Sequence, residues 1–220
     1  MTKYKVAYID EFPEDVREFQ RFASDIFEVI PLTPIADLEE LVSKIFEIYV
    51  DAVVVDHNLI EYDITSTINY QGNDVVDKLQ EKVEDFPIFV LTSYDEDAID
   101  ENEDARIVFE KKIMYASKEQ KDVYDSGIKF KKLIVKQIEK YKSRIEENQK
   151  ELLTLIKDSQ QRELNAFEKQ RLKELDSKIE KALDKESQIP DILRDEKEAL
   201  LISELLRKVD ELAKKLENKK

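Results

Sequence analysis

The chain has 220 residues, which is enough for one ordinary domain with an appendage or for two small domains. Its formal net charge is −15, and it contains two glycines, one histidine and no cysteine. This composition excludes glycine-rich phosphate-binding loops, disulfides, thiolate zinc sites and two-histidine zinc motifs. The first residues contain no apolar core of signal-peptide length, and no later run approaches a membrane span. We therefore expect a cytoplasmic protein without membrane partners.

The acidic charge is concentrated in the first part of the chain. Residues 1–114 contain 10 basic and 28 acidic residues, a net charge of −18, whereas residues 115–220 contain 26 and 23, a net charge of +3. Such asymmetry is typical of two parts with different tasks. With the helical pattern described below, it predicts a division into residues 1–140 and a tail of residues 141–220.

Strands and helices alternate along the first 110 residues. Apolar runs predict strands at 5–9, 27–30, 52–55, 88–91 and 107–109, and helical spacing predicts helices at 13–24, 37–49, 73–83 and 96–102. This alternation indicates an α/β fold with a five-stranded, parallel, doubly wound sheet that is covered on both faces. In such sheets, functional side chains gather beyond the carboxyl ends of the strands.

Charged and hydroxyl side chains follow these strand ends. Asp10 and Glu11 follow the first strand, Asp56 ends the third, Thr92 follows the fourth and Lys111 the last. Neighbouring carboxylates repel one another unless a cation neutralises them, and hard oxygen ligands suit Mg²⁺. The ordinary alternative is that these acidic residues cap helices in a domain that is acidic anyway.

Four segments in this region resemble the receiver domain of bacterial response regulators. The resemblance covers about residues 3–140 and implies the receiver-like, flavodoxin-like form of the α/β fold. The segments occur in the family's order and are Val6-Ala7-Tyr8-Ile9-Asp10-Glu11 with Pro13-Glu14-Asp15, Asp51-Ala52-Val53-Val54-Val55-Asp56, Pro87-Ile88-Phe89-Val90-Leu91-Thr92-Ser93, and Val108-Phe109-Glu110-Lys111.

The resemblance implies a role for each residue at the strand ends. Asp56 would be the phosphoacceptor for a sensor histidine kinase, and a Mg²⁺ (or Mn²⁺) ion would neutralise the site. The implied metal ligands are Asp10, Glu11, Asp56 and the backbone carbonyl of Asn58. Thr92 and Lys111 would bind phosphoryl oxygens, with Lys112 as a rival for the lysine role. No enzymatic activity is implied beyond self-phosphorylation and self-dephosphorylation.

The chain departs from the receiver pattern in three ways. The interval from Asp56 to Gly72 is 16 residues, about twice the usual one, so residues 59–71 contain an insertion beside the site. No proline follows Lys111, and the aromatic switch position holds Val108, with Phe109 as a poor substitute. None of these departures removes a phosphorylation residue. His57 either tunes dephosphorylation of Asp56 or faces solvent.

The tail predicts long helices with single apolar stripes. A first helix from about residue 127 continues the receiver's last helix, and a capping box at Asn165 and Glu168 begins a second. A break at 187–191 precedes a third. Their apolar positions are Ile134, Ile138, Tyr141, Ile145, Asn148, Leu152 and Leu155 in the first, Leu172, Leu175, Ile179 and Leu183 in the second, and Leu201 or Ile202, Leu205, Val209, Leu212 and Leu216 in the third.

These stripes predict a coiled coil or helical bundle, formed either by a homodimer or by antiparallel helices of one chain. Nucleic-acid binding is not favoured, because the chain is acidic and no helix-turn-helix is visible. The helices contain no histidine, which excludes a phosphotransfer bundle. We expect a response-regulator-like signalling protein whose tail binds a protein effector or a second copy. The alternatives are a phosphate sink for the kinase and a scaffold that is never phosphorylated.

Overall fold

A computed structural model of the chain describes residues 3–60, 68–93 and 108–183. Within these ranges the first part forms a five-stranded parallel sheet with the strand order β2-β1-β3-β4-β5. This is the doubly wound, flavodoxin-like order, so the predicted α/β fold is confirmed. The strands are β1 (Tyr4–Ile9), β2 (Phe27–Leu32), β3 (Ala52–Asp56), β4 (Ile88–Thr92) and β5 (Val108–Glu110).

Three helices of ordinary length connect the strands, and two longer ones follow the sheet. They are α1 (Pro13–Ala23), α2 (Leu38–Glu47), α3 (Gly72–Lys82), α4 (Lys121–Gln161) and α5 (Ala166–Leu183), with a short 3-10 helix at Lys111–Met114. Asp37 caps α2 by accepting hydrogen bonds from two backbone amides at 2.8 and 3.3 Å. The helix predicted at 96–102 lies outside the described residues.

The core has two layers, one on each face of the sheet. Ala7, Val53 and Val55 pack towards α2 and α3, whereas their neighbours Val6 and Val54 pack towards α1 and the first half of α4. Successive strand residues point to opposite faces. Because both faces are covered, each strand reads as a continuous apolar run rather than as an alternating one.

Helix α4 begins at Lys121, so the predicted start near residue 127 is wrong. The glycine that suggested a boundary, Gly127, lies inside the helix, where the chain packs closely against its neighbours. A Cβ at this position would lie 2.9 Å from the Phe22 ring and 3.1 Å from the carbonyl oxygen of Ile113. Gly127 is therefore explained by close packing and not by a helix end.

The first predicted apolar stripe packs against two different partners. Ile134 and Ile138 are buried against the sheet, and Tyr141 packs edge-on against Phe86 at a centroid distance of 5.6 Å. Further along α4, Leu152 belongs to a separate cluster. In the first half of α4, the apolar spacing that is typical of a coiled coil therefore packs against the sheet.

The contacts of the chain divide it into two compact units, Met1–Glu146 and Glu147–Lys220. The predicted domain boundary at residue 140 stays a prediction. In the described part of the second unit, the end of α4 and helix α5 form an antiparallel hairpin. Its core contains Leu152, Leu155, Ile156, Leu172, Leu175 and Ile179.

The predicted capping box at the start of α5 is present. The Glu168 amide donates to Asn165 Oδ1, and the Asn165 amide donates to a Glu168 carboxylate oxygen, both at 2.9 Å. The same carboxylate pairs with Arg162, which holds the pKa of Glu168 down at about 2. The predicted break at 187–191 and the third helix lie outside the described residues. None of the helices among residues 3–60, 68–93 and 108–183 is long and apolar enough to cross a membrane.

Candidate functional site

The carboxyl ends of the central strands meet at one edge of the sheet. Asp10 follows β1, Asp56 ends β3, Thr92 ends β4 and Lys111 follows β5. The strand register pairs Asp56 with Leu91 and Thr92 with Glu110. All four polar side chains belong to residues that are no more than 5% exposed. Buried polar groups need partners, so their contacts define what this edge can do.

The ammonium group of Lys111 lies between three carboxylates. Its Nζ atom is 2.9 Å from Asp10 Oδ2 and 3.0 Å from Asp56 Oδ1, and it also contacts Asp15 Oδ2. Lys112 is exposed and pairs with Glu110. The lysine that faces Asp56 is therefore Lys111.

Asp10 is fixed by three donors. The Tyr8 hydroxyl donates to Asp10 Oδ2 at 2.6 Å, the Phe12 amide donates to Oδ1 at 2.8 Å, and Lys111 contributes the ion pair. Such charge-assisted hydrogen bonds stabilise a carboxylate that burial would otherwise disfavour. The orientation of Asp10 towards Lys111 and Asp56 is thus set by its own strand and by the start of α1.

The sequence interpretation missed Tyr8, Asp15 and Tyr115 as members of this network. Asp15 lies in the first turn of α1 and accepts a hydrogen bond from the Tyr115 hydroxyl. Tyr8 could have been found, because residues two apart on a strand point to the same face and Tyr8 precedes Asp10 by two. Asp15 and Tyr115 come from a helix and from the residue after a 3-10 turn, where no comparable periodicity applies.

The site has an excess of negative charge, since three carboxylates share one ammonium. Burial, with the nearby Asp10 and Asp15, raises the pKa of Asp56 to about 7, although Lys111 opposes this rise. Burial alone would lower the pKa of Lys111, but Asp56, Asp15 and Asp10 outweigh it, so the pKa lies above its usual value. Burial and the nearby Asp10 also raise the pKa of Tyr8, which therefore remains a hydrogen-bond donor at neutral pH.

The oxygen donors at this edge partly fit a hard divalent cation. Carboxylate oxygens of Asp10 and Asp56 converge on a single point of positive charge, the Lys111 ammonium, and oxygen ligands of this kind suit Mg²⁺. The other predicted ligands are Glu11, which follows Asp10, and Asn58, which lies two residues after Asp56. Both residues are partly buried. Within the described residues, no three acidic or histidine side chains are grouped so as to hold a metal ion.

A cleft of about 450 Å³ opens beside Thr92 and the end of β5. Phe109 lines it, and its ring packs 4.7 Å from the ring of Phe130 and 6.3 Å from that of Phe89. Val108, the residue at the aromatic switch position of the resemblance, packs against the opposite core layer. Among the described residues, the aromatic side chain that lines this cleft with Thr92 is Phe109.

The described ends of the insertion are anchored beside Asp56. The amide of Gly72 donates to the carbonyl oxygen of His57 at 2.9 Å, which closes the segment between them. Leu59 and Tyr70 are buried, and the Tyr70 hydroxyl donates to the carbonyl oxygen of Ile35 at 2.6 Å. His57 is partly buried rather than fully exposed. Residues 61–67 lie outside the described ranges.

Comparisons with known proteins give only distant structural likenesses. No protein-family profile and no curated protein matches the sequence. The anti-anti-sigma factor PhyR from Bartonella quintana is 13% identical, with a TM-score of 0.44 over 67% of this chain and 51% of its own. The chain thus spans about half of the PhyR structure.

Two further solved structures are similar at the same level. The Salmonella typhimurium response regulator RcsB is 15% identical, with a TM-score of 0.43 over 87% of this chain and 96% of its own. A fusion that contains the trimeric coiled coil of yeast Spc42 is 16% identical, with a TM-score of 0.44 over 70% and 95% of the two chains. At these identities the chemistry of the site has to be inferred from its own side chains.

Proposed function

We propose that this chain is a response-regulator-like signalling protein whose Asp56 accepts a phosphoryl group from a sensor histidine kinase. The main support is the position of the Lys111 ammonium, 3.0 Å from Asp56 Oδ1 in a buried site at the carboxyl ends of the strands. A buried carboxylate paired with a fixed cation can act as a nucleophile towards an anionic group. Thr92, at the end of the neighbouring strand, supplies a hydroxyl on the same edge.

The chemistry assigned to Asp56 is phosphoryl transfer. A carboxylate oxygen of Asp56 attacks phosphorus, and the P–N bond of the phosphohistidine breaks as the new O–P bond forms. The electron pair of the broken bond stays on the imidazole nitrogen, which takes up a proton. Lys111 then neutralises part of the charge on the phosphoryl oxygens, and the Thr92 hydroxyl donates a hydrogen bond to another.

A bound Mg²⁺ or Mn²⁺ ion would screen the carboxylate from the phosphoryl group. The resemblance to receiver domains assigns it to Asp10, Glu11, Asp56 and the backbone carbonyl of Asn58, and the three carboxylates would have to draw together around the ion, since they are not grouped as metal ligands in the described residues. Hard oxygen donors are appropriate to either ion. Asp10 is suited to this task because Tyr8 and Phe12 fix the orientation of its carboxylate.

The output would pass through protein contacts of the helical tail. Helix α4 runs without interruption from Lys121 to Gln161, so it connects the sheet domain to the hairpin that contains α5. In this proposal phosphorylation shifts the sheet domain between two conformations, and the tail binds an effector or a second copy differently in each.

The decisive experiment is phosphorylation of the purified chain by a small phosphodonor in the presence of Mg²⁺, followed by intact-mass measurement. We expect one phosphoryl group on the wild-type protein and none on Asp56→Asn. The matched control is Asp85→Asn. Asp85 adopts a left-handed backbone conformation that asparagine tolerates, and it pairs with Arg144 away from the site.

The adjacent lysines provide a second matched pair. Lys111→Met should slow phosphoryl uptake at least tenfold, because the buried cation beside Asp56 is lost. Lys112→Met should react like the wild type, since Lys112 contacts Glu110 at the surface. Equal rates for the two variants would contradict the role of Lys111, and no uptake by the wild type would leave the scaffold alternative. Uptake without a change in oligomeric mass or partner binding would favour a phosphate sink.

A further inference from the structure

The Lys111 ammonium is held by a carboxylate that does not come from a strand end. Asp15 lies in the first turn of α1, where one of its oxygens contacts Lys111 Nζ and the other accepts the hydrogen bond of the Tyr115 hydroxyl. The Asp15 side chain is 19% exposed, against 0% for Asp10 and 6% for Asp56. Asp15 is therefore the outermost of the three carboxylates that contact Lys111.

Tyr115 ties this carboxylate to the segment that contains Lys111. The 3-10 helix Lys111–Met114 ends immediately before Tyr115, so the lysine and the tyrosine hold Asp15 from the same short turn. Tyr115 is 47% exposed, and its ring is not needed to fill the core. Its clearest structural role is the hydrogen bond that points Asp15 at the ammonium.

Asp15 and a phosphoryl group on Asp56 would compete for the Lys111 ammonium. A phosphoryl group on Asp56 brings additional negative charge, which the cation must approach to neutralise. Asp10 is fixed by two further donors and cannot easily release Lys111, whereas Asp15 is fixed from outside the site by one exposed phenol. The contact between Asp15 and Lys111 is therefore the one that a single peripheral side chain controls.

We propose that Asp15 and Tyr115 are positioning residues for Lys111. The Tyr115 hydroxyl orients Asp15, Asp15 holds the ammonium, and this hold slows the movement of Lys111 towards a phosphoryl group on Asp56. The effect on rate rests on the proposed function, whereas the hold on Lys111 exists without it. The two parts are therefore tested separately.

The hold is tested by NMR of the lysine side-chain ammonium groups in the full-length protein, with no phosphodonor present. Lys111→Met identifies the resonance by its loss. We expect Asp15→Asn and Tyr115→Phe each to shift this resonance and to speed its hydrogen exchange, while Tyr49→Phe leaves it unchanged. Tyr49 is a suitable control because it is 56% exposed and precedes β3 at the opposite edge of the sheet. An unchanged resonance in both variants would overturn the hold.

The effect on rate is tested with phosphoramidate and Mg²⁺. We expect phosphoryl uptake to be about fivefold faster in Asp15→Asn and about twofold faster in Tyr115→Phe, as for the loss or loosening of one charge-assisted contact. Tyr115→Phe keeps every charge of the site, so its effect reports positioning and not net charge. In a Lys111→Met background, Tyr115→Phe should produce no acceleration.

Each outcome decides a specific part of the proposal. A Tyr115→Phe rate equal to or below that of the wild type would overturn the effect on rate, as would an acceleration that survives without Lys111. If no variant takes up a phosphoryl group, the proposed function and the effect on rate both fail. The Lys111 resonance then still decides whether Asp15 and Tyr115 hold the ammonium.

Discussion

Two groups of buried polar atoms among the described residues differ in how their burial is compensated. Around Asp56, each of the four buried or partly buried charged groups contacts at least one opposite charge. By contrast, the Tyr141 hydroxyl is buried on α4 without a hydrogen-bond partner among the described residues. Burial, reinforced by the nearby Asp85, raises the pKa of Tyr141 to about 12. The charged groups of the site are thus paired, although three carboxylates share one ammonium.

Tyr141→Phe should stabilise the protein, because it removes an unsatisfied hydroxyl and keeps the edge-on contact with Phe86. The expected gain in the free energy of unfolding is about 1 kcal/mol at pH 7. In the wild-type protein, the raised folded-state pKa means that neutral Tyr141 contributes to the free energy of unfolding. This contribution is complete below pH 10 and is lost as the pH rises through 12. The advantage of the variant should therefore grow above pH 10. Denaturant unfolding at pH 7 and pH 11 measures both effects, and a destabilised variant would contradict them.

At the scale of elements, the two glycines of the chain occupy helices for packing reasons. A Cβ on Gly72, the first residue of α3, would lie 2.2 Å from the backbone oxygen of Asp56. The one on Gly127 would lie 2.9 Å from the ring of Phe22, a side chain that can shift, and 3.1 Å from the backbone oxygen of Ile113. The close approach of α3 to the end of β3 thus depends on the absence of a side chain at Gly72.

Gly72→Ala should lower the free energy of unfolding by about 2 kcal/mol, since backbone atoms cannot easily move apart. It should also slow phosphorylation, because the displaced backbone belongs to Asp56. Gly127→Ala is the matched comparison and should cost less: alanine favours a helix interior by about 1 kcal/mol, which offsets part of the cost of its contacts with Phe22 and Ile113. Urea unfolding and phosphoramidate uptake measure the two consequences. Equal losses of stability in both variants would show that the approach of α3 to β3 is not tight.

At the scale of the whole molecule, the charge asymmetry contributes to the attachment of α4. Lys131 lies 2.9 Å from Asp25, Lys142 lies 2.6 Å from Asp51, and Arg144 pairs with Asp85. Basic side chains of the helix thus meet acidic side chains of the sheet domain. Most of these pairs are exposed and contribute little individually. The burial of Ile134 and Ile138 accounts for more of the attachment.

The homodimer remains a prediction, and the third apolar stripe, which lies outside the described residues, is where it can be tested. The described hairpin pairs α4 with α5 inside one chain, so the first two stripes do not require a second copy. Sedimentation equilibrium should give twice the chain mass of 26.0 kDa. Leu205→Glu with Leu212→Glu should reduce it to one chain, whereas Leu153→Glu, at a position 43% exposed, should not. A monomeric wild-type protein would contradict the prediction.

Most of the sheet domain could be predicted because its signals are local. Each predicted strand lies within one or two residues of an observed strand, since a buried parallel strand requires a short apolar run with β-branched residues. Helices α1 to α3 follow from apolar spacing, and the capping box of α5 from Asn165 and Glu168. The predicted start of α4 was wrong because a glycine looks the same in the sequence whether it marks a helix boundary or permits close packing. Gly127 permits close packing.

By itself, the sequence determined the order of strands and helices along the chain. It also placed Asp10, Asp56, Thr92 and a lysine at strand ends. Only the tertiary structure decided which lysine faces the site: β5 ends at Glu110, and the 3-10 turn that follows buries Lys111 and exposes Lys112. It also decided that Asp15 and Tyr115 join them. The spacing of apolar residues in the sequence indicates which face of a helix or strand is apolar. The partner of that face, and the meeting of side chains from separate elements, depend on packing across the whole domain.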